Sequence, residues 1–190
     1  MNTDKICVFT NLGLMHQIKV LDIPAGKFRD KGVPIDNLCN YDSAKEYIIQ
    51  VLDVQTMIHS TLLFATAKSM LKVMDGDLLN ASKRTVQATK LSEDELVAVI
   101  VADWSEESED KVVLQTKDGV FLKFPYAEIP KKKKSALGVR GMKLSKDDLI
   151  TNVYVMDAQN ISSIMYKEKE LEFNRLKLSK RDTKGTKVRR

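Results

Sequence analysis

Basic side chains recur along this chain in short loops, and the chemistry open to them is the neutralisation of phosphate. Lys27, Arg29 and Lys31 form a first group, and Lys83 and Arg84 a second. Lys131, Lys132, Lys133 and Lys134 form a third, with Arg140 and Lys143 just beyond it. Lys180, Arg181, Lys184 and Lys187 form a fourth. Lys and Arg that neutralise DNA phosphates release condensed counterions. Such contacts position a duplex without reading its sequence. The formal net charge is +5, but the distribution says more than the sum. Residues 131–143 hold six Lys/Arg and no acid, and residues 174–190 hold eight against Asp182 alone. Residues 92–110 hold eight acids and no Lys/Arg. This separation suits a positive face for a polyanion; solvated loops of either sign are the plain alternative. Few aromatic residues accompany the loops, which favours duplex binding over stacking of single strands. The acidic stretch is expected to lie off the path of the nucleic acid.

No catalytic constellation is legible beside these loops. There is no phosphate-binding lysine loop and no nucleophile elbow. His16 and His59 are far apart, with no neighbouring Cys or His to complete a metal site. His16 alternates with Met15 and Gln17, so a half-buried or surface role on a strand is expected. Tyr41, Tyr47, Tyr126, Tyr154 and Tyr166 read as core or rim residues. Cys7 and Cys39 are the only cysteines. A reducing cytoplasm is a simpler reading for them than a disulfide. The segment Met1-Asn2-Thr3-Asp4-Lys5 has no signal-peptide pattern. No apolar run approaches the roughly 20 residues that span a bilayer.

The elements that must position the loops are strands. Ile6–Thr10, Leu62–Thr66 and Val112–Thr116 are short, apolar and β-prone, and each ends in Thr. A turn follows, Asn11-Leu12-Gly13 in the first and Lys117-Asp118-Gly119 in the third, where Gly supplies the positive φ of a tight hairpin. Ser69 stands in that place in the second. Second strands are expected at Met15–Leu21, Met70–Met74 and Val120–Phe124, and third strands at Tyr47–Val54, Leu96–Asp103 and Leu149–Asp157. Val33, Val86 and Val139 are spaced by 53 residues, as are Leu38, Leu91 and Leu144. A basic loop precedes each Val…Leu pair.

A period of this length with about four strands marks propeller-like blades. The copies are expected at 4–57, 58–106, 109–158 and 159–190, forming one repeat domain over 1–190. The fourth begins near Ile161 and stops after its basic loop, which suggests a fragment or an array closed by strand exchange. Val99, Val101, Val113 and Leu114 are expected in the core. Short helical turns are expected at Ser43–Tyr47 and Ser92–Leu96, and a flexible basic tail after the last strand.

These units resemble the blades of the C-terminal domain of the type IIA DNA topoisomerase A subunit, in DNA gyrase or topoisomerase IV. The residues that carry the likeness are Phe9-Thr10-Asn11-Leu12-Gly13 with Ile18-Lys19, and Val113-Leu114-Gln115-Thr116-Lys117-Asp118-Gly119. The most specific are Ala127-Glu128-Ile129-Pro130 followed by Gly138-Val139-Arg140-Gly141-Met142-Lys143-Leu144. The resemblance implies an all-β pinwheel of about four blades, the last incomplete or strand-swapped, with duplex DNA bent around a basic rim. It implies no catalytic residue and no cofactor in this segment. ATP, Mg and an upstream active-site tyrosine belong to the parent enzyme, whose partner is an ATPase B subunit like that of gyrase, in the bacterial cytoplasm at the nucleoid. The gyrase heptapeptide of the form Q-R-G-G-R-G-K is missing from every copy. Its nearest counterparts are Phe28-Arg29-Asp30-Lys31-Gly32-Val33 and Lys134–Gly141. That departure points to a topoisomerase IV-like protein or a divergent gyrase. A propeller-like protein-interaction scaffold is the competing reading.

Overall fold

A computed structural model describes residues 4–156 and 162–188. The unit is built around a hairpin. Its first strands are β1 (Lys5–Thr10), β4 (Thr61–Thr66) and β8 (Lys111–Thr116), and its second strands are β2 (Leu14–Lys19), β5 (Met70–Asp75) and β9 (Val120–Pro125). The turn closes the same way each time: the amides of Gly13, Ser69 and Gly119 donate to the carbonyls of Thr10, Thr66 and Thr116. The recurring Thr has a second use, because the Oγ1 of Thr66 and of Thr116 accepts the amide of Met70 and of Val120. Ser69 holds the left-handed φ (67°) that Gly holds in the other copies. Its side chain and main chain both have partners in the next copy: its Oγ accepts the Met142 amide and its carbonyl accepts the Gly141 amide.

Each hairpin gains a third strand on one side, from β3 (Ile48–Asp53), β7 (Leu96–Val101) and β11 (Ile150–Met156). The other side is filled from the next copy along the chain. These donated strands are β6 (Thr85–Gln87), β10 (Val139–Arg140) and β14 (Thr186–Lys187). The sheets therefore run β3-β1-β2-β6, β7-β4-β5-β10 and β11-β8-β9-β14. Val86 pairs with Met15, Val139 with Leu71 and Thr186 with Phe121, so all three arms dock in one register. The fourth hairpin, β12 (Ser163–Tyr166) with β13 (Lys169–Glu172), forms a two-stranded sheet. The expected boundary between third and fourth copies, at 158–159, and the residues Asp157 and Ile161 lie outside the described residues.

Opposed residues of an antiparallel pair share a face, and both faces of the middle hairpins are covered. Leu62 and Phe64 of β4 face the first sheet in a core with Cys7, Phe9 and Met15, whereas Leu63 and Ala65 face the third in a core with Leu114 and Leu122. That explains why these strands read as unbroken apolar runs. Val99, Val113 and Leu114 are buried as expected, but Val101 is 37% exposed. It ends an edge strand, where a neighbour covers one side only. Successive sheets are also stitched by backbone bonds: Leu96 N donates to Asn11 O, and Ile150 N to Ala67 O.

Other local expectations need correction. The third strand of the first copy stops at Asp53, whose side chain accepts the Thr56 amide and caps a five-residue helix α1 (Val54–Ile58). Val54 and Met57 of that helix enter the core between the first two sheets. Ser43–Tyr47 holds a hydrogen-bonded turn, and Ser92–Leu96 a bend that leads into β7; neither is helical. A 3-10 turn follows the second strand in every copy, at Val20–Asp22, Gly76–Leu79, Tyr126–Glu128 and Phe173–Arg175. The basic tail is ordered through its described residues. Ser179 N donates to Lys123 O, Asp182 N to Gly141 O, Lys143 N to Thr183 O and Val188 N to Gly119 O. The strand exchange holds it down.

Gly138 precedes the β10 arm with φ 98°, and a Cβ there would lie 2.4 Å from the Leu71 carbonyl oxygen. Gly32, the counterpart in the first copy, has φ 72° but open space around it. Gly32→Ala should cost about 1 kcal/mol, from backbone conformation alone. Gly138→Ala should cost about 3 kcal/mol or more, because the arm must also withdraw from β5. Urea unfolding of the two variants checks this; equal losses would mean that the arm does not depend on the close approach.

Candidate nucleic-acid interface

Three of the four basic loops precede a donated strand: Lys83 and Arg84 come before β6, Lys131–Lys134 before β10, and Lys180–Lys184 before β14. The donated strand is the outer member of its sheet, so strand exchange carries every one of these loops to the same edge of the preceding sheet. The acids of residues 92–110 flank β7, the opposite edge of the second sheet. The first group, Lys27, Arg29 and Lys31, lies in an exposed segment that joins no strand, with a local turn in which Lys27 O accepts the Asp30 amide.

The basic residues differ in what they already touch. Lys131 pairs with Asp75 at 2.6 Å and lies 5.6 Å over the Trp104 ring. Arg140 forms a fork with both carboxylate oxygens of Asp182, with Nη2 to Oδ2 at 3.0 Å. This contact raises the Arg140 guanidinium and lowers the Asp182 carboxyl from their ordinary values. Arg181 donates from Nε to Glu128 O and from Nη1 to Arg140 O, so it braces the arm. Arg84 approaches Asp22 at 4.0 Å. Lys27, Arg29, Lys31, Lys83, Lys132, Lys133, Lys134, Lys143, Lys180, Lys184 and Lys187 are exposed and enter no ion pair among the described residues. These are the basic side chains of the loops that no acid holds among the described residues.

Beneath the loops lies polar structure that the sequence did not reveal. Lys72 is 1% exposed, and its Nζ donates to the carbonyls of Lys133, Lys134 and Ala136. Burial pulls its pKa from 10.5 down to about 8. Gln17 and Lys123 are also buried and donate to backbone carbonyls of the following copy. His16 is fully buried, not half-exposed. Its Nε2 meets Glu46 at 2.9 Å and its Nδ1 meets the Oγ1 of Thr85 in β6 at 3.1 Å. Burial raises the Glu46 carboxyl, but the hydrogen bonds with His16 and from the Asp42 amide help to outweigh it and leave the group below its ordinary value. Cys7 and Cys39 are both free and buried, and burial pushes the Cys7 thiol up to about 11. Among the described residues, no cluster of three or more His, Cys, Asp or Glu is placed to hold a metal ion. No helix among them is long and apolar enough to cross a membrane.

Consecutive four-stranded antiparallel sheets, linked by exchanged outer strands that carry basic loops, define a propeller-like module with a charged edge. The chain matches the family model for the DNA gyrase C-terminal domain, beta-propeller, over residues 4–51, 60–103 and 110–155. It belongs to that family. It is 32% identical over 150 residues to the DNA gyrase A subunit of Chlamydia pneumoniae, covering 76% of this chain and 17% of the relative. It is likewise 32% identical over 165 residues to the DNA gyrase A subunit of Chlamydia muridarum, covering 83% and 19%. The chain thus spans under a fifth of these two relatives' length. Its fold is similar to the crystal structure of the C-terminal domain of DNA topoisomerase IV, with a TM-score of 0.85 at 22% identity, covering 98% of this chain and 59% of that one. It is also similar to the DNA gyrase A C-terminal domain, with a TM-score of 0.69 at 22% identity, covering 97% and 60%.

The Lys72 shift has a measurable sign. Unfolding restores an ordinary lysine that holds its proton up to about pH 10.5, while the folded group loses it near pH 8. Between those values the unfolded chain binds more protons, so this group's contribution to stability rises with pH. The difference in melting temperature between the parent chain and Lys72→Met should therefore shift in favour of the parent from pH 8 to pH 10. A constant difference would mean that the buried amine does not titrate in this window.

Proposed function

We propose that this chain binds duplex DNA with little sequence preference and bends it, as the C-terminal domain of the A subunit of a bacterial type II topoisomerase. In this reading it presents DNA segments for strand passage by a larger enzyme. Cleavage by an upstream tyrosine, the use of ATP and Mg, and the gyrase B-like ATPase partner belong to that larger enzyme, at work on the nucleoid in the cytoplasm. The observation that supports this reading is the segregation of charge across the second sheet, with basic loop at the β10 edge and acids about the β7 edge. Repetition of the basic edge along the array offers successive phosphate contacts, and a duplex that meets all of them must curve. Smooth bending over 20–30 bp costs on the order of a few kcal/mol, which several such contacts offset.

The binding constant should fall linearly with salt on a log–log plot, with a slope of roughly −0.9 per phosphate neutralised. Lys132→Ala, Lys133→Ala and Lys134→Ala together should flatten that slope by up to about 3. Lys131→Ala should add less, because Asp75 already neutralises that ammonium. Fluorescence titration of a labelled duplex at several salt concentrations, with end-to-end energy transfer at saturation, tests both affinity and bend. Salt-insensitive binding, or a duplex left straight at saturation, would sink the mechanism.

A further inference from the structure

Three buried donors share an arrangement that the DNA-binding reading does not use. Gln17, Lys72 and Lys123 are 6%, 1% and 7% exposed, and each lies on the second strand of its hairpin. Each points its nitrogen at main-chain carbonyls of the following copy. Gln17 Nε2 donates to Ala81 O at 2.9 Å and Lys83 O at 2.7 Å. Lys72 Nζ donates to Lys133 O at 3.3 Å, Lys134 O at 2.9 Å and Ala136 O at 2.9 Å. Lys123 Nζ donates to Phe173 O at 2.8 Å and Asn174 O at 3.3 Å, in the 3-10 turn that leads to the fourth basic segment. Gln17 and Lys123 stand opposite Cys7 and Val113, at matching places in their hairpins. Lys72 stands opposite Phe64, one place earlier and on the other face, yet it reaches the same kind of target.

The Lys72 contact is the most complete. An ammonium has three protons and accepts nothing, and three carbonyls meet it here. No carboxylate pairs with it among the described residues, and the Phe64 ring lies 5.7 Å away. If the site needed only filling, an apolar side chain would fill it without desolvating a charge. The ammonium adds direction: it fixes where residues 133, 134 and 136 turn their carbonyls. Backbone bonds complete the frame, from Ala136 N to Lys133 O, Lys132 N to Val73 O and Lys90 N to Lys134 O. The lysine loop, exposed along 131–134, is thereby tied down from below.

We infer that Lys72 is a positioning residue for the DNA path: its buried amine clamps the main chain of the 131–136 loop, so that the loop's lysines guide the duplex along a fixed course. Gln17 performs the same task for the loop of the second copy, and Lys123 anchors the turn that leads to the basic segment of the fourth. The inference rests on the DNA-bending reading above. Mobile lysines attract DNA as strongly, but they cannot impose a bend, so affinity and bending respond differently to loss of the clamp.

The test uses the full chain with Lys72→Met, which removes the donor, and Lys72→Gln, which keeps two donors of the kind Gln17 supplies. Amide exchange at residues 132–136, the salt slope and energy transfer across a bound duplex are measured together. Lys72→Met should speed loop exchange about tenfold, leave the salt slope unchanged and lower the bend at saturation. Lys72→Gln should recover at least half of the lost protection and bend. If Lys72→Met bends DNA as the parent does, or if Lys72→Gln recovers nothing, the clamp is overturned. Should Lys72→Met fail to fold, Gln17→Leu poses the same question for residues 81–84 without touching a charge. A parent chain that leaves DNA straight refutes the functional reading instead, and the exchange data still judge the clamp.

Discussion

An unpaired strand edge is the constraint on which this array depends. Within one copy, the hairpin and its third strand leave the outer side of β2, β5 or β9 without backbone partners. Exposed edges invite foreign pairing, and buried ones leave N–H and C=O groups unsatisfied. The next copy supplies the missing strand, in the same register three times over. Order along the chain then becomes order in space, because each arm pairs with the copy before it. The loops that precede the arms are delivered to a common edge as a by-product. Sheet completion and charge placement are thus one feature of the fold.

The arms are short, two or three residues each, so ladder bonds alone hold them weakly. Several contacts reinforce them where this weakness lies. Ser69 receives the amides of Gly141 and Met142, Gly138 lets the chain pass against Leu71, His16 reaches Thr85 of β6, and Arg181 spans Glu128 and Arg140. Removing one partner from such a contact leaves the other buried and unsatisfied, which costs more than the bond itself contributes. A short arm with many such contacts has one favourable seat, and that fixes how one copy joins the next.

The repeat was legible in the sequence because its physical causes are local. The Thr–turn–Gly hairpins, the apolar strand runs and the 53-residue spacing of Val86 and Val139 each reflect a backbone requirement met by residue type. The spacing even marked the docking residues, since Val86 and Val139 are the arm positions opposite Met15 and Leu71. What was not legible depends on distant partners. Lys72 looks like an ordinary strand lysine until the loop 61 residues downstream folds over it. His16 gave no hint of Glu46, and the tail read as loose because Asp182, Thr183 and Thr186 find their partners in a different copy. Lys131 and Arg140 carried the same weight as their neighbours in a charge count, although acids already hold them. Lys72 and Lys123 could have been noticed as lysines inside largely apolar strands, and that was the one available signal.

The proposed bending of DNA would set a mechanical demand as well as an electrostatic one. A duplex that stores a few kcal/mol of elastic energy pulls back on whatever holds it. In that reading, joints between sheets that yielded at that scale would let the duplex straighten. The joints here combine three kinds of resistance. Continuous apolar cores lie on both faces of the second sheet. Backbone bonds link the third strand of one copy to the turn of the copy before it, from Leu96 to Asn11 and from Ile150 to Ala67. The exchanged arms close the opposite edge. With both edges and both faces engaged, rotation of one sheet against its neighbour must break apolar packing and hydrogen bonds together. The charges tied up in ion pairs fit the same logic: Arg140 with Asp182 and Lys131 with Asp75 give up some attraction for phosphate and hold the loop ends in place. Rigidity at the joints and freedom at Lys132, Lys133 and Lys134 are then complementary, because a charge guides DNA only if the chain beneath it does not move with the load.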